Sequence, residues 1–464
     1  MLTPMYSNLL VGDEYEFIIY IYTLFAFINV IYSIGMESAF FRFYKQDNPA
    51  GSKSVFSHSF VVINIISLIF TAIIVLFSDS IGNNLTKGNL DSAGELIRIA
   101  ALIPLFDALV LIPFGYLRMT NQAKKFSVIK FIFILITVIL NFVLLKYTDL
   151  QSRAVLYSQL LASFLGFIYF APLIFKQLEL KYNAQLFNNM LKFGIPTIPA
   201  SISAIILQVA DRPILTELSS SYHAVVTYQV NYRLGIPMMI FVTIFEYAWK
   251  PFYLNNYNES NAKEIFSGVL SYFTIVASII FMIITLFIEF VVKLPGIGGK
   301  YFINPEYWDG LGIVPIILFA YYFNGLFTNF SAGLLIEKKT KYLPLAVGTA
   351  AIANVVINLL LIPIIGFIGA AISTLVAYMI SAIIIYVIMM RIYPISYDWQ
   401  KIMKIIIITG VFFSIDKWGV NFDNLYLEFI SKLFFAGLFI TSLIILKVLN
   451  IEDFRSILKI FGKK

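Results

Sequence analysis

The sequence predicts an all-α polytopic membrane protein, built as two six-helix lobes followed by two further helices. Three observations lead there. Hydrophobic residues make up 60% of the 464-residue chain and charged residues only 13%, against about 25% charged in soluble domains, and the mean hydropathy is +0.86. Apolar stretches of the roughly 20 residues needed to cross a bilayer recur along the whole chain. The two halves also share a faint internal repeat.

Taken in order, spans are expected near 15–36, 54–78, 95–117, 126–147, 153–175, 193–216, 224–249, 265–291, 310–333, 342–363, 366–390, 400–415 and 427–449. Gly and Pro are frequent inside them, which membrane helices tolerate. The loop charges orient them. One set of loops, running from Arg42, Lys45 and Lys53 through Arg118, Lys124, Lys125 and Lys130 to the tail beyond Lys447, holds 23 of the 33 Lys and Arg residues. The other set, which includes Lys87, Lys146 and Lys300, holds 8, and Arg212 and Arg233 fall inside spans. The richer side is expected to be cytoplasmic, with the C-terminus on it. Thirteen spans then put Met1 outside, so MLTPMYSN reads as the last turn of a first helix truncated in this sequence. Fourteen helices are the expectation and thirteen the alternative.

The repeat supports this count. Pro4 to Glu37 and Pro213 to Glu246 are both steps of 33 residues. ESAFFRFY after Glu37 echoes EYAWKPFY after Glu246, an offset of 209. Later, Gly115, Lys125 and Asn141 match Gly333, Lys341 and Asn358 at offsets of 216–218. A parallel repeat of six helices per half fits the spacing and is an arrangement of transporters with alternating access. The expected domains are 1–182 (first lobe), 183–392 (second lobe) and 393–464 (an extra helix pair and a basic tail, IEDFRSILKIFGKK). Between the lobes, residues 176–193 mix charge with Leu, Phe and Met and predict an amphipathic helix on the cytoplasmic face.

Charges inside apolar spans are costly and mark candidate sites. The basic candidates are Arg233, Arg212, Arg42, Arg118 and Lys250. If the lobes enclose a cavity, these could hold an anionic head group, above all a pyrophosphate, since guanidinium forks match phosphate oxygens. Arg42, Arg118 and Lys250 also suit a simpler role as anchors at the span ends. Arg233, in mid-span, is the foremost cavity candidate. The acidic candidates for ion coupling or charge pairing are Asp107, Asp211, Glu37 and Glu246. Glu37 with Arg42 and Glu246 with Lys250 are spaced for pairing within one helix. Asp211 and Arg212 are adjacent, and helix neighbours do not face each other, so each is expected to have its own partner. Asp107 has no basic residue one turn away and is the foremost ion-coupling candidate. Glu289 and Lys432 read as interfacial.

Tyr228/Tyr232 and Tyr321/Tyr322 could meet sugar rings, with core packing as the plainer alternative. His58, early in a span, reads as a cavity residue or a helix–helix hydrogen-bond partner. The chain has no cysteine and two histidines, which removes thiol chemistry and makes a histidine metal site unexpected. No phosphate-cradling Gly-rich loop precedes a helix, and Gly296-Ile297-Gly298-Gly299 reads as a turn. No cofactor, metal or catalytic residue is expected. The net charge of +7 follows membrane orientation and does not point to nucleic acid.

GMESAFFRFYK, LKFGIPTIPA with ADRPIL, FEYAWKPFY and NLLLIPIIGFIGAAISTLVAY together resemble the polysaccharide biosynthesis (O-antigen flippase, Wzx-like) family of the multidrug/oligosaccharidyl-lipid/polysaccharide exporter superfamily. The resemblance runs over essentially the whole chain. It implies two six-helix lobes in a V plus two C-terminal helices. It also implies a flippase that moves undecaprenyl-pyrophosphate-linked oligosaccharide, an O-antigen, capsule or exopolysaccharide unit, across the bacterial inner membrane. The implied partners are the lipid-linked oligosaccharide, membrane lipids, and a glycan polymerase or other assembly proteins. By likeness to lipid II flippases, Arg42, Arg212 and Arg233 are pyrophosphate candidates. The alternatives are a multidrug/toxin extrusion antiporter of the same superfamily, or a membrane enzyme or scaffold of glycan assembly.

Overall fold

The computed structural model describes residues 2–45, 49–86, 90, 92–179, 181–219, 222–296, 299–418 and 424–449. The tail from Ile451, Lys87, and part of the Gly296–Gly299 turn lie outside the described residues. Among the described residues the chain is all-helical. It divides into two compact units, residues 1–226 with 296–300 and residues 227–295 with 301–464.

The first unit runs through α1 (Thr3–Leu9), α2 (Gly12–Ser33), α3 (Met36–Phe43), α4 (Pro49–Leu76), α5 (Ser78–Thr86), α6 (Ala93–Met119), α7 (Ala123–Tyr147) and α8 (Ser152–Gln177). It continues with α9 (Ala184–Gly194), a 3₁₀ turn (Ile195–Thr197), α10 (Ile198–Val209) and α11 (Asp211–Leu218). Its core gathers Tyr32, Met36, Phe40, Phe56, Phe114, Phe170 and Met190. Helix α9 lies on α3, and α10 and α11 lie on α2.

The turn between α2 and α3 depends on Gly35, which has φ +72°. A Cβ there would lie 2.1 Å from the Gly194 carbonyl oxygen at the end of α9. Only glycine allows both that backbone and that approach.

The second unit contains α12 (Tyr222–Leu234, its first residues in unit 1), α13 (Ile236–Asn256), α14 (Ala262–Lys293) and a 3₁₀ stretch Pro305–Ile313. It then runs through α15 (Val314–Ile336), α16 (Tyr342–Ile365), α17 (Phe367–Ile392), α18 (Trp399–Trp418) and α19 (Leu425–Ile445). Helices in lipid gain little from hiding apolar surface and pack instead through small residues. Helix α17 follows this rule, burying Gly369, Ala370, Ala371, Ser373, Ala377, Ser381 and Ala382 where it meets α15 and α16. Helices α18 and α19 seat on α14 through Ile405, Phe439 and Leu443 against Ile275, Met282 and Leu286.

Eleven helices among the described residues are long and apolar enough to cross a membrane. They answer to eleven of the thirteen expected spans. The two exceptions have physical reasons. The expected span 224–249 is interrupted: α12 stops at Leu234 and α13 restarts at Ile236. Pro237 sits in the first turn of α13; inside a continuous helix its ring would collide with the Arg233 carbonyl. Helix α18, over the expected 400–415, carries Lys401, Lys404, Asp416 and Lys417 in its 20 residues.

The amphipathic helix expected over 176–193 begins only at Ala184, where the Asn183 side chain accepts the Leu186 N–H at 3.0 Å. It passes through the 3₁₀ turn into α10, where Pro196 and Pro199 fall at first-turn positions that need no N–H.

Candidate functional site

A cavity of about 770 Å³ opens within the first unit. Each wall is one stripe of a helix. Helix α6 supplies Asp107, Leu111, Phe114 and Arg118, and α7 supplies Phe126, Lys130, Phe133 and Thr137. Both sets follow the three-and-four spacing that keeps side chains on one face. Helix α2 adds Ala26, Asn29, Val30 and Ser33, α8 adds Gln159, Ala162, Ser163 and Gly166, and α3 adds Glu37 and Ser38. Thr197, with Ile198 and Ser201 from α10, closes the last wall. Pro104 and Pro113 bracket Asp107 within α6, so the backbone carbonyls one turn before each lose their helical donor.

The polar groups of the cavity differ in how far they are engaged. The Ser163 hydroxyl donates to Asp107 Oδ1 at 2.7 Å. Arg118 Nη2 donates to Glu37 Oε1 at 2.6 Å, and its guanidinium lies 4.5 Å from the centre of the Phe41 ring. Lys130 Nζ stands 4.3 Å over the Phe114 ring. Among the described residues no carboxylate lies within salt-bridge distance of Lys130. The cavity therefore pairs one cation with an acid, leaves a second cation on an aromatic face, and surrounds both with hydroxyl and amide groups.

Of the candidate residues, the cavity brings together Asp107, Glu37 and Arg118. Glu37 bonds Arg118 across helices and not Arg42, which corrects the expected pairing. Arg42 is exposed at the end of α3. Asp211 and Arg212 also bond each other, which the expectation of separate partners did not include. Their side chains are 3% and 6% exposed and bond at 2.6 Å. The helix breaks at Ala210, so Asp211 opens the first turn of α11 and accepts the Arg212 backbone N–H at 3.0 Å as well. Arg212 Nη1 also donates to the Gln208 carbonyl.

Arg233 occupies the last turn of α12, half-buried in the second unit, where the helix C-terminus favours a cation. Glu246 and Lys250 are both exposed on α13. Among the described residues they form no ion pair, which corrects the expected intrahelical bridge.

The tyrosines considered for sugar contact are core residues. Tyr228, Tyr232, Tyr321 and Tyr322 are all buried. Tyr321 donates to Tyr232 at 3.1 Å, and the Tyr322 and Thr274 hydroxyls are 3.2 Å apart. Lys432, expected at the interface, is largely buried and bonded to Asp416. His58 binds the main chain of the α8–α9 connection and not a neighbouring span.

Sequence reasoning missed Lys130, which it counted among loop charges, and the uncharged lining residues Asn29, Thr137, Gln159 and Ser163. The available signal was the spacing of Lys130 with Phe126, Phe133 and Thr137 on one helix face.

The fold is that of membrane transporters of the MOP superfamily. An inward closed form of the lipid II flippase MurJ superposes with TM-score 0.73 at 17% identity, covering 96% of each chain. An inward-facing multidrug resistance MATE family transporter gives 0.65 at 14%, over 87% of this chain and 93% of that one. A MOP superfamily transporter from Pyrococcus furiosus gives 0.59 at 14%, over 84% and 90%. No curated protein matches the sequence. Residues 7–295 match the family described as polysaccharide biosynthesis protein. The chain belongs to that family and is a multi-pass membrane protein.

Proposed function

We propose that the chain is a flippase that carries a lipid-linked oligosaccharide across the bacterial inner membrane by alternating access, and that it is not an enzyme. The observation that carries this reading is the unit-1 cavity. Its volume lies in the range of about 300–1,000 Å³ typical of ligand sites, room for several sugar residues. Its walls offer the hydroxyl and amide groups that sugar hydroxyls require. Lys130 supplies a cation that forms no salt bridge among the described residues though it feels the Asp107 carboxylate, suited to a phosphoryl or other anionic group of the substrate, with Arg118 lining the same cavity.

In this reading Asp107 is the coupling carboxylate, able to exchange a proton or cation for its bond from Ser163. Arg233, Arg212, Arg42 and Lys250 serve anion handling or anchoring, and Asp211, Glu37 and Glu246 serve charge pairing. The repeat-related lobes, 1–182 and 183–392, move against one another, while 393–464 supplies the extra helix pair and a cytoplasmic tail. The substrate is an undecaprenyl-pyrophosphate-linked repeat unit of O-antigen, capsule or exopolysaccharide, handed on to a polymerase and other assembly proteins.

The fold shared with MATE transporters supports a second reading, extrusion of cationic drugs. The two separate in proteoliposomes. Fluorescent lipid-pyrophosphate-oligosaccharide is followed by its accessibility to a membrane-impermeant quencher, and a cationic dye by efflux. Glycan-lipid movement that falls at least about tenfold in Lys130→Ala, with dye unmoved, is the expected result. Dye efflux without glycan-lipid movement overturns the reading.

A further inference from the structure

His58 lies on α4 outside the cavity lining, and the transport reading gives it no role. It is 7% exposed. Its ring is held by two main-chain groups of opposite kind. Nδ1 is 2.7 Å from the Ser54 carbonyl oxygen, one turn back. Nε2 is 3.0 Å from the Asn183 backbone nitrogen. A carbonyl oxygen can only accept and an amide N–H can only donate. The ring must therefore carry its proton on Nδ1 and turn a bare Nε2 to Asn183. The two bonds together require a neutral imidazole in one tautomer.

The connection that His58 holds leads to the cavity. Asn183 is the N-cap of α9. Beside His58, the Ser57 hydroxyl accepts the Glu179 N–H at 2.7 Å. Two consecutive side chains of α4 thus fasten the stretch between α8 and α9. The other end of α9 is Gly194, which meets Gly35 and accepts the Thr197 hydroxyl at 2.7 Å. Thr197 and Ser201 are cavity wall. A three-turn helix of 11 residues joins the histidine to that wall.

We propose that His58 is a pH-sensitive latch on α9: the neutral ring holds the start of α9 against α4, and protonation at Nε2 releases it and loosens the cavity wall at Thr197 and Ser201. Its consequence for transport rests on the reading of the cavity given above. Protonation sets a second N–H against the Asn183 N–H, so an attraction becomes a repulsion between donors. The groups around the ring are few. Tyr182 lies 5.6 Å away, ring to ring. Glu179 and Lys181 stand on the same stretch, 4.0 Å from one another. Lys53 precedes His58 on α4 and is exposed. Helix α9 contributes the Phe187 ring at 6.2 Å and no titratable side chain before Lys192. Imidazole is the side chain among these whose ordinary charge change falls between about pH 5 and 8.

The full chain in lipid nanodiscs supplies the test. With two histidines present, ¹⁵N-histidine labelling gives two ring systems, and His223→Gln assigns them. At about pH 7.5 His58 is expected to be neutral and protonated at Nδ1, and the lower pH of the comparison is the one at which its ring nitrogens report an imidazolium. Over the same interval, hydrogen exchange of residues 181–194, referenced to unstructured peptide rates, is expected to rise about tenfold. His58→Gln, whose side-chain carbonyl can accept from Asn183 without titrating, should stay protected at both values. His58→Phe, which keeps the bulk and loses the acceptor, should exchange fast at both.

A ring protonated at Nε2 near pH 7.5, or the same pH response in wild type and His58→Gln, overturns the latch. A wild-type response absent from His58→Gln supports it even if no glycan-lipid moves at either pH, and that result would fail the flippase reading alone.

Discussion

Replacing Gly35 by alanine tests the point where the α2–α3 turn meets the end of α9. At φ +72° an L-residue is in the left-handed region, at a cost of about 1–2 kcal/mol. The new Cβ would stand 2.1 Å from the Gly194 oxygen and 2.5 Å from its carbon. These are backbone atoms and cannot swing aside as the end of a side chain can. Overpacking of this kind costs about 1–3 kcal/mol, so the expected total is about 2–5 kcal/mol. Gly268→Ala is the control: a Cβ there meets nothing within 4 Å, inside α14, and should stabilise by about 0.5–1 kcal/mol. Denaturant unfolding of both variants in the same nanodiscs, followed by tryptophan fluorescence, reads the difference. A Gly35→Ala midpoint equal to wild type would refute the close approach and, with it, the coupling of α9 to the cavity wall.

Other substitutions probe the charged groups separately. Ser163→Ala strips Asp107 of its hydroxyl donor and should cost about 1–3 kcal/mol in the same unfolding assay, whereas Ser163→Thr keeps the donor and should cost less. Glu37→Gln breaks a pair whose side chains are 34% and 45% exposed; solvent screening limits the stability loss to under about 1 kcal/mol, and a double-mutant cycle with Arg118→Gln measures the coupling. Asp211→Asn takes the charge from one partner of a buried ion pair and should destabilise by up to about 3–5 kcal/mol, read as loss of folded protein on heating in detergent. Arg233→Ala should insert normally, seen by surface labelling, while glycan-lipid export falls.

The membrane class was legible because the bilayer imposes length and apolarity on each span, and both are one-dimensional properties. Most helix positions followed from them. Breaks inside spans were harder. Pro237 carried a readable warning, yet the apolar run from 224 to 249 concealed the stop at Leu234. Charge partners were hardest. Glu37 has Arg42 five residues away and Arg118 eighty-one away, and only the packing of α3 on α6 selects the second. Lys130 was misplaced for a related reason. Its sign and its nearness to Lys124 and Lys125 assigned it to a loop, while its register on α7 turned it to the cavity. Asp107 was recognised because a carboxylate deep in an apolar span needs a partner, but Ser163 is an ordinary residue whose part in that bond the sequence does not advertise.

The most direct measurement is the rate at which purified protein in proteoliposomes moves fluorescent undecaprenyl-pyrophosphate-oligosaccharide between leaflets, in wild type and Lys130→Ala at equal reconstitution. Movement above protein-free vesicles, reduced about tenfold or more by the substitution, is the expected result. Wild-type vesicles that move the glycan-lipid no faster than empty ones, or a Lys130→Ala rate equal to wild type, would contradict the assignment of the cavity as the glycan-lipid site.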